Sequence, residues 1–122
     1  RLKLNAIAEI VQGKRIVRVD DSIVRGTTSK QIIQMLRLAG ATEVHMAVAS
    51  PPTKYPCYYG IDTSRREELI ASTMEPHEIK EFIGADSLHY ISMDGMLQAL
   101  KQSEPCFCAA CFNGCYPVPY EE

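Results

Sequence analysis

From Lys14 to Asp20 apolar and charged positions alternate, with Ile16, Val17 and Val19 set among basic residues, and the run ends in Asp20-Asp21. That period of two predicts a strand running into a loop. Ahead of it, Ile7, Ile10 and Val11 fall at helical spacing and Gln12-Gly13 closes the segment. Behind it, Ile32, Ile33, Leu36 and Ala39 mark one face of a helix, with Thr28 or Ser29 as its cap and Gly40 as its stop. Glu43 to Ala49 is mostly apolar, which predicts a parallel strand covered on both faces.

Pro51-Pro52 through Gly60 reads as a long loop holding Cys57 and three tyrosines. Ser64-Arg65-Arg66-Glu67 has the form of a capping box opening a short helix through Ile70. Pro76 suits a first helical turn, with Ile79, Phe82 and Ile83 facing inward and Gly84 ending the element. A third strand is predicted over Ser87 to Ile91 and a last helix over Met93 to Leu100, and from Glu104 onward the composition turns to Cys, Pro, Gly and aromatics. Strands alternating with helices give an α/β fold with a parallel sheet. Ligands of such sheets sit at the carboxyl ends of strands, where Asp20-Asp21 falls.

With 122 residues the chain is one domain or part of one, and at 46% hydrophobic and 23% charged it can bury a core. A net charge of -2, with no basic run, gives no reason to expect nucleic acid. No apolar stretch approaches the roughly 18 residues of a membrane span, and no secretory pattern opens the chain. A cytoplasmic protein is the expectation. The chain starts at Arg1 rather than Met, so it reads as a piece of something longer.

Chemistry concentrates first at Asp20 to Ser29. A strand delivers two carboxylates to its end, and Arg25-Gly26-Thr27-Thr28 turns the chain tightly into a helix. Gly26 allows a positive φ and close approach of a ligand. The N–H groups of Gly26, Thr27, Thr28 and Ser29, with the hydroxyls, then converge at the positive helix end as a site for a phosphate monoester. Asp20 and Asp21 repel phosphate; they suit hydroxyls and Mg²⁺, which prefers oxygen ligands and arrives with substrate phosphates. A ligand with a 5-phosphate at one end and a diol with metal-bound pyrophosphate at the other fits both halves, as phosphoribosyl pyrophosphate (PRPP) does.

The run Val19-Asp20-Asp21-Ser22-Ile23-Val24-Arg25-Gly26-Thr27-Thr28 resembles the PRPP fingerprint of type I phosphoribosyltransferases, in the spelling of the amidophosphoribosyltransferase family. The resemblance extends to Ser50-Pro51-Pro52, to Pro56-Cys57-Tyr58-Tyr59-Gly60-Ile61-Asp62, to Ile83 through Leu88 and to the Cys-rich end. It implies the carboxyl-terminal half of a type I phosphoribosyltransferase fold over residues 1–103, followed by a Cys-rich segment at 104–122. It implies Asp20, Asp21, Ser22, Arg25, Gly26, Thr27, Thr28 and Ser29 as the PRPP site, with Asp20 and Asp21 also toward Mg²⁺. The Arg25 side chain is assigned to phosphate or to solvent. No residue of the piece is assigned as catalytic.

Five cysteines is an odd number, and Cys106, Cys108 and Cys111 fall within six residues, with Cys115 close behind. Such clustering speaks against a secreted disulfide framework. Cys108-Ala109-Ala110-Cys111 by itself suits a redox pair, zinc or an iron–sulfur cluster. His77 and His89 suit surface or core positions. Family members similar to the Bacillus type carry a 4Fe–4S cluster on four cysteines; Cys57, Cys108 and Cys111 match three, and the fourth is expected ahead of Arg1. Cys106 and Cys115 depart from the pattern and are read as ordinary thiols, with substitution of either for the absent fourth ligand as the alternative. The implied role of a cluster is to staple the Cys57 loop to the tail.

The resemblance implies an enzyme of purine synthesis that turns PRPP and ammonia, released from glutamine by a separate amino-terminal domain, into 5-phosphoribosylamine and pyrophosphate. It further implies homo-oligomers inhibited by purine nucleotides, and inactivity of this piece alone. The rival readings are a non-catalytic PRPP or nucleotide sensor and a metal-stabilised interaction module.

Overall fold

The computed structural model describes residues 2–63, 65–101 and 107–120. Helix α1 spans Leu2–Val11, strand β1 Arg15–Asp20, helix α2 Thr27–Leu38 and strand β2 Glu43–Val48. A 3₁₀ turn over Arg66–Glu68 leads to the short α3 (Ile70–Thr73) and then α4 (Pro76–Ile83). Strand β3 is Ser87–Tyr90, followed by α5 (Met93–Leu100) and, in the Cys-rich tail, the single turn α6 (Ala110–Asn113). The three strands form a parallel sheet in the order β1-β2-β3, with Val17 beside His45 and His45 beside Ser87. This is the expected α/β architecture.

The core lies on one face of the sheet. Val44, Met46 and Val48 of β2 meet Ile33 of α2, Ile70 and Ala71 of α3, and Ile79 and Ile83 of α4, with Ile23 joining from the loop after β1. The expectation that β2 is covered on both faces is corrected: its side chains alternate between buried and half-buried. Glu43, His45 and Ala47 lie on the second face beside Val17 and Val19, which are 66% and 72% exposed. Small Ala47 and polar Glu43 and His45 carry the polar half of a period-two pattern that the apolar count of the strand conceals. His45 joins the two neighbouring side chains of that face, bonded to Ser87 Oγ at 2.7 Å and to Glu43 Oε2 at 2.8 Å.

Element ends show which local signals carried. Gly84 closes α4 at φ 78°, and Pro76 opens it, backed by a reciprocal bond pair between Glu75 and Glu78. Ser92 caps α5 by accepting from Gly95 N at 3.0 Å. Neither Thr28 nor Ser29 caps α2: the helix begins at Thr27 with Gly26 in the cap position at φ 79°, and Ser29 is buried at 4% exposure. On α2 only Ile33 of the four expected apolar positions is fully buried; Leu36 packs at the core edge and Ala39 is the carboxyl cap. The expected helix through Ile70 is instead the 3₁₀ turn with α3 following it, and Ser64 lies outside the described residues.

Candidate functional site

Residues Asp20 to Ser29 enclose a pocket of about 280 Å³ at the carboxyl end of β1. Its floor is set by packing: Ile23 is 2% exposed in the core, and the Val24 carbonyl accepts from Ile70 N at 2.9 Å. Gly26 is required twice over. Its backbone is left-handed, and an added Cβ would lie 2.8 Å from Ile70 Cδ1 and 3.2 Å from the Phe82 ring. The first bond of the helix runs from Lys30 N to the Gly26 carbonyl at 3.0 Å. The N–H groups ahead of Lys30 therefore have no intrahelical acceptors and face the pocket end of a 12-residue helix.

The carboxylates are differently engaged. Asp20 accepts from Arg18 through Oδ2 at 2.6 Å and from Asp21 N through Oδ1 at 3.0 Å. Asp21 is exposed and accepts only the Ser22 hydroxyl, at 3.2 Å, in the bonds described. Arg25 is exposed and donates to Glu68 Oε2 at 2.6 Å. That bond raises the Arg25 pKa and holds the Glu68 carboxyl below its usual value. Arg18 could have been foreseen, since a residue two before Asp20 on a strand shares its face. Glu68 is 43 residues from Arg25 and had no local signal.

Cys57, Cys108 and Cys111 border a second cavity, of about 360 Å³, shared with Pro56, Ile61, Ala110 and Phe112. Burial pushes the Cys111 thiol up, and the nearby Cys108 and Cys57 push it the same way. Among the described residues no three such side chains close in on a point as ligands of one metal ion. Thiolates are the ligands an iron–sulfur cluster takes, and three cysteines line this apolar-walled space. The described cysteines carry no disulfide. Cys115 is exposed and does not border the cavity, while Cys106 lies outside the described residues. His77 and His89 are exposed.

Protein contacts also join the Cys57 loop to the tail. Lys54 N and Tyr55 N both donate to the Cys111 carbonyl, at 3.0 and 3.1 Å. The Tyr59 hydroxyl donates to the Val118 carbonyl at 2.6 Å, and that of Tyr116 to the Pro56 carbonyl at 2.8 Å. Tyr58 stacks on Tyr120 with ring centroids 4.0 Å apart.

The parallel sheet with a Gly-Thr turn between β1 and α2 has the α/β fold of a phosphoribosyltransferase-type domain. No family model matches the chain. Amidophosphoribosyltransferase of Synechococcus elongatus is 54% identical over 122 residues, all of this chain and 25% of that protein. The Bacillus subtilis enzyme of the same name is 54% identical over 97% of this chain and 26% of its own length, and that of Archaeoglobus fulgidus 52% over 100% and 28%. Glutamine PRPP amidotransferase from B. subtilis, solved in complex with ADP and GMP, superposes with a TM-score of 0.84 at 54% identity, over 90% of this chain and 25% of that one. The chain is thus similar over its whole length to amidophosphoribosyltransferases, and it spans about a quarter of the length of the relatives it matches.

Proposed function

We propose that the full-length protein containing this chain converts PRPP, glutamine and water to 5-phosphoribosylamine, pyrophosphate and glutamate, or PRPP and ammonia to 5-phosphoribosylamine and pyrophosphate, and that this piece supplies the 5-phosphoribosyl half of the site. The observation that carries the reading is the Asp20–Ser29 pocket, formed by the residues whose spelling the resemblance singled out.

The N–H groups of Gly26 to Ser29 hold the 5-phosphate, reinforced by the helix end and the threonine hydroxyls. Asp20, already neutralised on one side by Arg18, accepts from a ribose hydroxyl. Asp21, with its freer carboxylate, accepts the other hydroxyl and stands toward Mg²⁺. As pyrophosphate leaves, positive charge grows on the ribose, and two fixed carboxylates on the diol side stabilise it without a covalent step. Arg25 stays with Glu68 at the rim. Purine nucleotides share the 5-phosphoribosyl end and compete for the same loop.

Cys57, Cys108 and Cys111 would hold a 4Fe–4S cluster together with a cysteine from outside this chain. Bound there, such a cluster would cross-link loop and tail, and the reaction itself needs no electron from it. The full-length protein acts in the cytoplasm as a homo-oligomer.

The test is pyrophosphate release by the full-length protein given PRPP, Mg²⁺ and either glutamine or ammonia. Turnover lost on Asp21→Asn, with iron and acid-labile sulfide lost on Cys57→Ser, is expected. PRPP binding without turnover would favour the sensor, and zinc in place of iron the interaction module.

A further inference from the structure

The phosphate pocket and the cysteine cavity have a common wall. Ser22 and Val24 line both spaces. The shared segment is pinned on either side of Val24. Ile23 is buried in the core, and the Val24 carbonyl is tied to Ile70 N. Arg25 is tied to Glu68, and Gly26 packs against Ile70 and Phe82. The same backbone that presents N–H groups to a phosphate therefore also closes the space the sulfurs surround. A group filling that space supplies packing partners on the far side of Val24, and atoms with partners on both sides hold their place better than atoms facing a void.

We propose that Val24 is a positioning residue through which filling of the cysteine cavity raises the affinity of the loop for a 5-phosphorylated ribose. The inference rests on the reading of Asp20–Ser29 as the phosphate site and goes beyond it by coupling that site to the cavity. Because coupling between sites is reciprocal, a ligand in the loop must also tighten the binding of whatever fills the cavity, and in the emptied protein it is expected to order the loop over the cavity thiols and slow their reaction.

Calorimetry of PRPP binding to the full-length protein, before and after iron is removed by chelation, reads the first direction. The expected result is an affinity about five-fold or more weaker once the cavity is emptied. Val24→Ala should bind equally in both states, and Val24→Ile should restore the difference. The second direction uses the emptied wild-type protein and does not depend on any variant folding. Saturating PRPP should slow alkylation of Cys57, Cys108 and Cys111, resolved by mass spectrometry, and leave Cys115 unchanged.

Equal PRPP affinity with unchanged labelling overturns the coupling and leaves the phosphate reading standing. A difference that persists in Val24→Ala overturns the assignment to Val24. Absence of PRPP binding in both states overturns the phosphate reading and the coupling with it. Isolation of a protein without iron whose cavity thiols are still protected by PRPP removes the cluster and sustains the coupling.

Discussion

Arg25 and Glu68, 43 residues apart, meet at 2.6 Å and tie the rim of the Asp20–Ser29 loop to the 3₁₀ turn. Both groups are solvent-exposed, so the pair is a positional tie more than a source of stability. Glu68 titrates below its usual value because Arg25 bonds to it, so the tie is present at neutral pH and is lost as pH falls through that lowered value. Glu68→Gln should differ from wild type in thermal melting and PRPP affinity at neutral pH, and converge with it in acid. A difference that grows in acid would show that the pair does not act this way.

Arg25→Ala tests whether the guanidinium leaves Glu68 for the ligand. Because Arg25 is already paired, its removal should cost less PRPP affinity than any change to the backbone behind it. Calorimetry showing a loss as large as that of Gly26→Ala would place the guanidinium on phosphate.

Gly26→Ala should be damaging on two counts. A left-handed conformation costs an L-residue about 1–2 kcal/mol. The added methyl also meets Ile70 Cδ1 at 2.8 Å, so the loop must shift from the position that aims its N–H groups. Lower stability in denaturant titration is expected, together with a loss of PRPP affinity of at least about tenfold, or 1.4 kcal/mol.

In the cluster-free protein, burial raises the Cys111 pKa. Since the thiolate is the nucleophile, iodoacetamide should label Cys111 slowly at neutral pH, with a rate that rises into the alkaline range beyond that of an unperturbed thiol. Peptide-resolved rates across pH check this. Fast labelling at neutral pH would contradict the burial.

Tyr90 carries a buried hydroxyl with no hydrogen-bond partner among the described residues, and burial pushes its pKa up to about 12. Tyr90→Phe removes the orphaned group and keeps the ring, so melting temperature should hold or rise. In wild type the folded state keeps a proton that the unfolded state gives up above about pH 10. Stability should therefore fall as pH rises from there toward 12, and Tyr90→Phe should flatten that decline.

Much of the frame was legible locally. Gly84, Pro76 and the alternation in Arg15–Asp20 each act within a few residues, through φ, a missing N–H or the pleat, and each element formed where those signals placed it. The α2 cap was misread because Thr28 and Ser29 have capping side chains, whereas the start of the helix was set by Gly26 packing beneath Ile70 and Phe82. The covering of β2 was misread because composition reports how apolar a strand is and not which face its neighbours occupy. Short α6 has no periodicity to read, since one turn offers too few positions.

Residue order alone carried the chemistry proposed at the strand end: two carboxylates, a glycine and hydroxyls in the order of the PRPP fingerprint, and three cysteines in the pattern from which a cluster is inferred. These depend on residues adjacent in the chain or on residue type alone. Packing in three dimensions was needed to bring Glu68 to Arg25 and to set Val24 between the loop pocket and the cysteine cavity. The pairing of Arg25 with Glu68 and the wall at Val24 join segments far apart in sequence, brought together by burial of Ile23, Ile70 and the β2 side chains in one core. No local pattern encodes which distant side chain a collapsing core will carry to the rim.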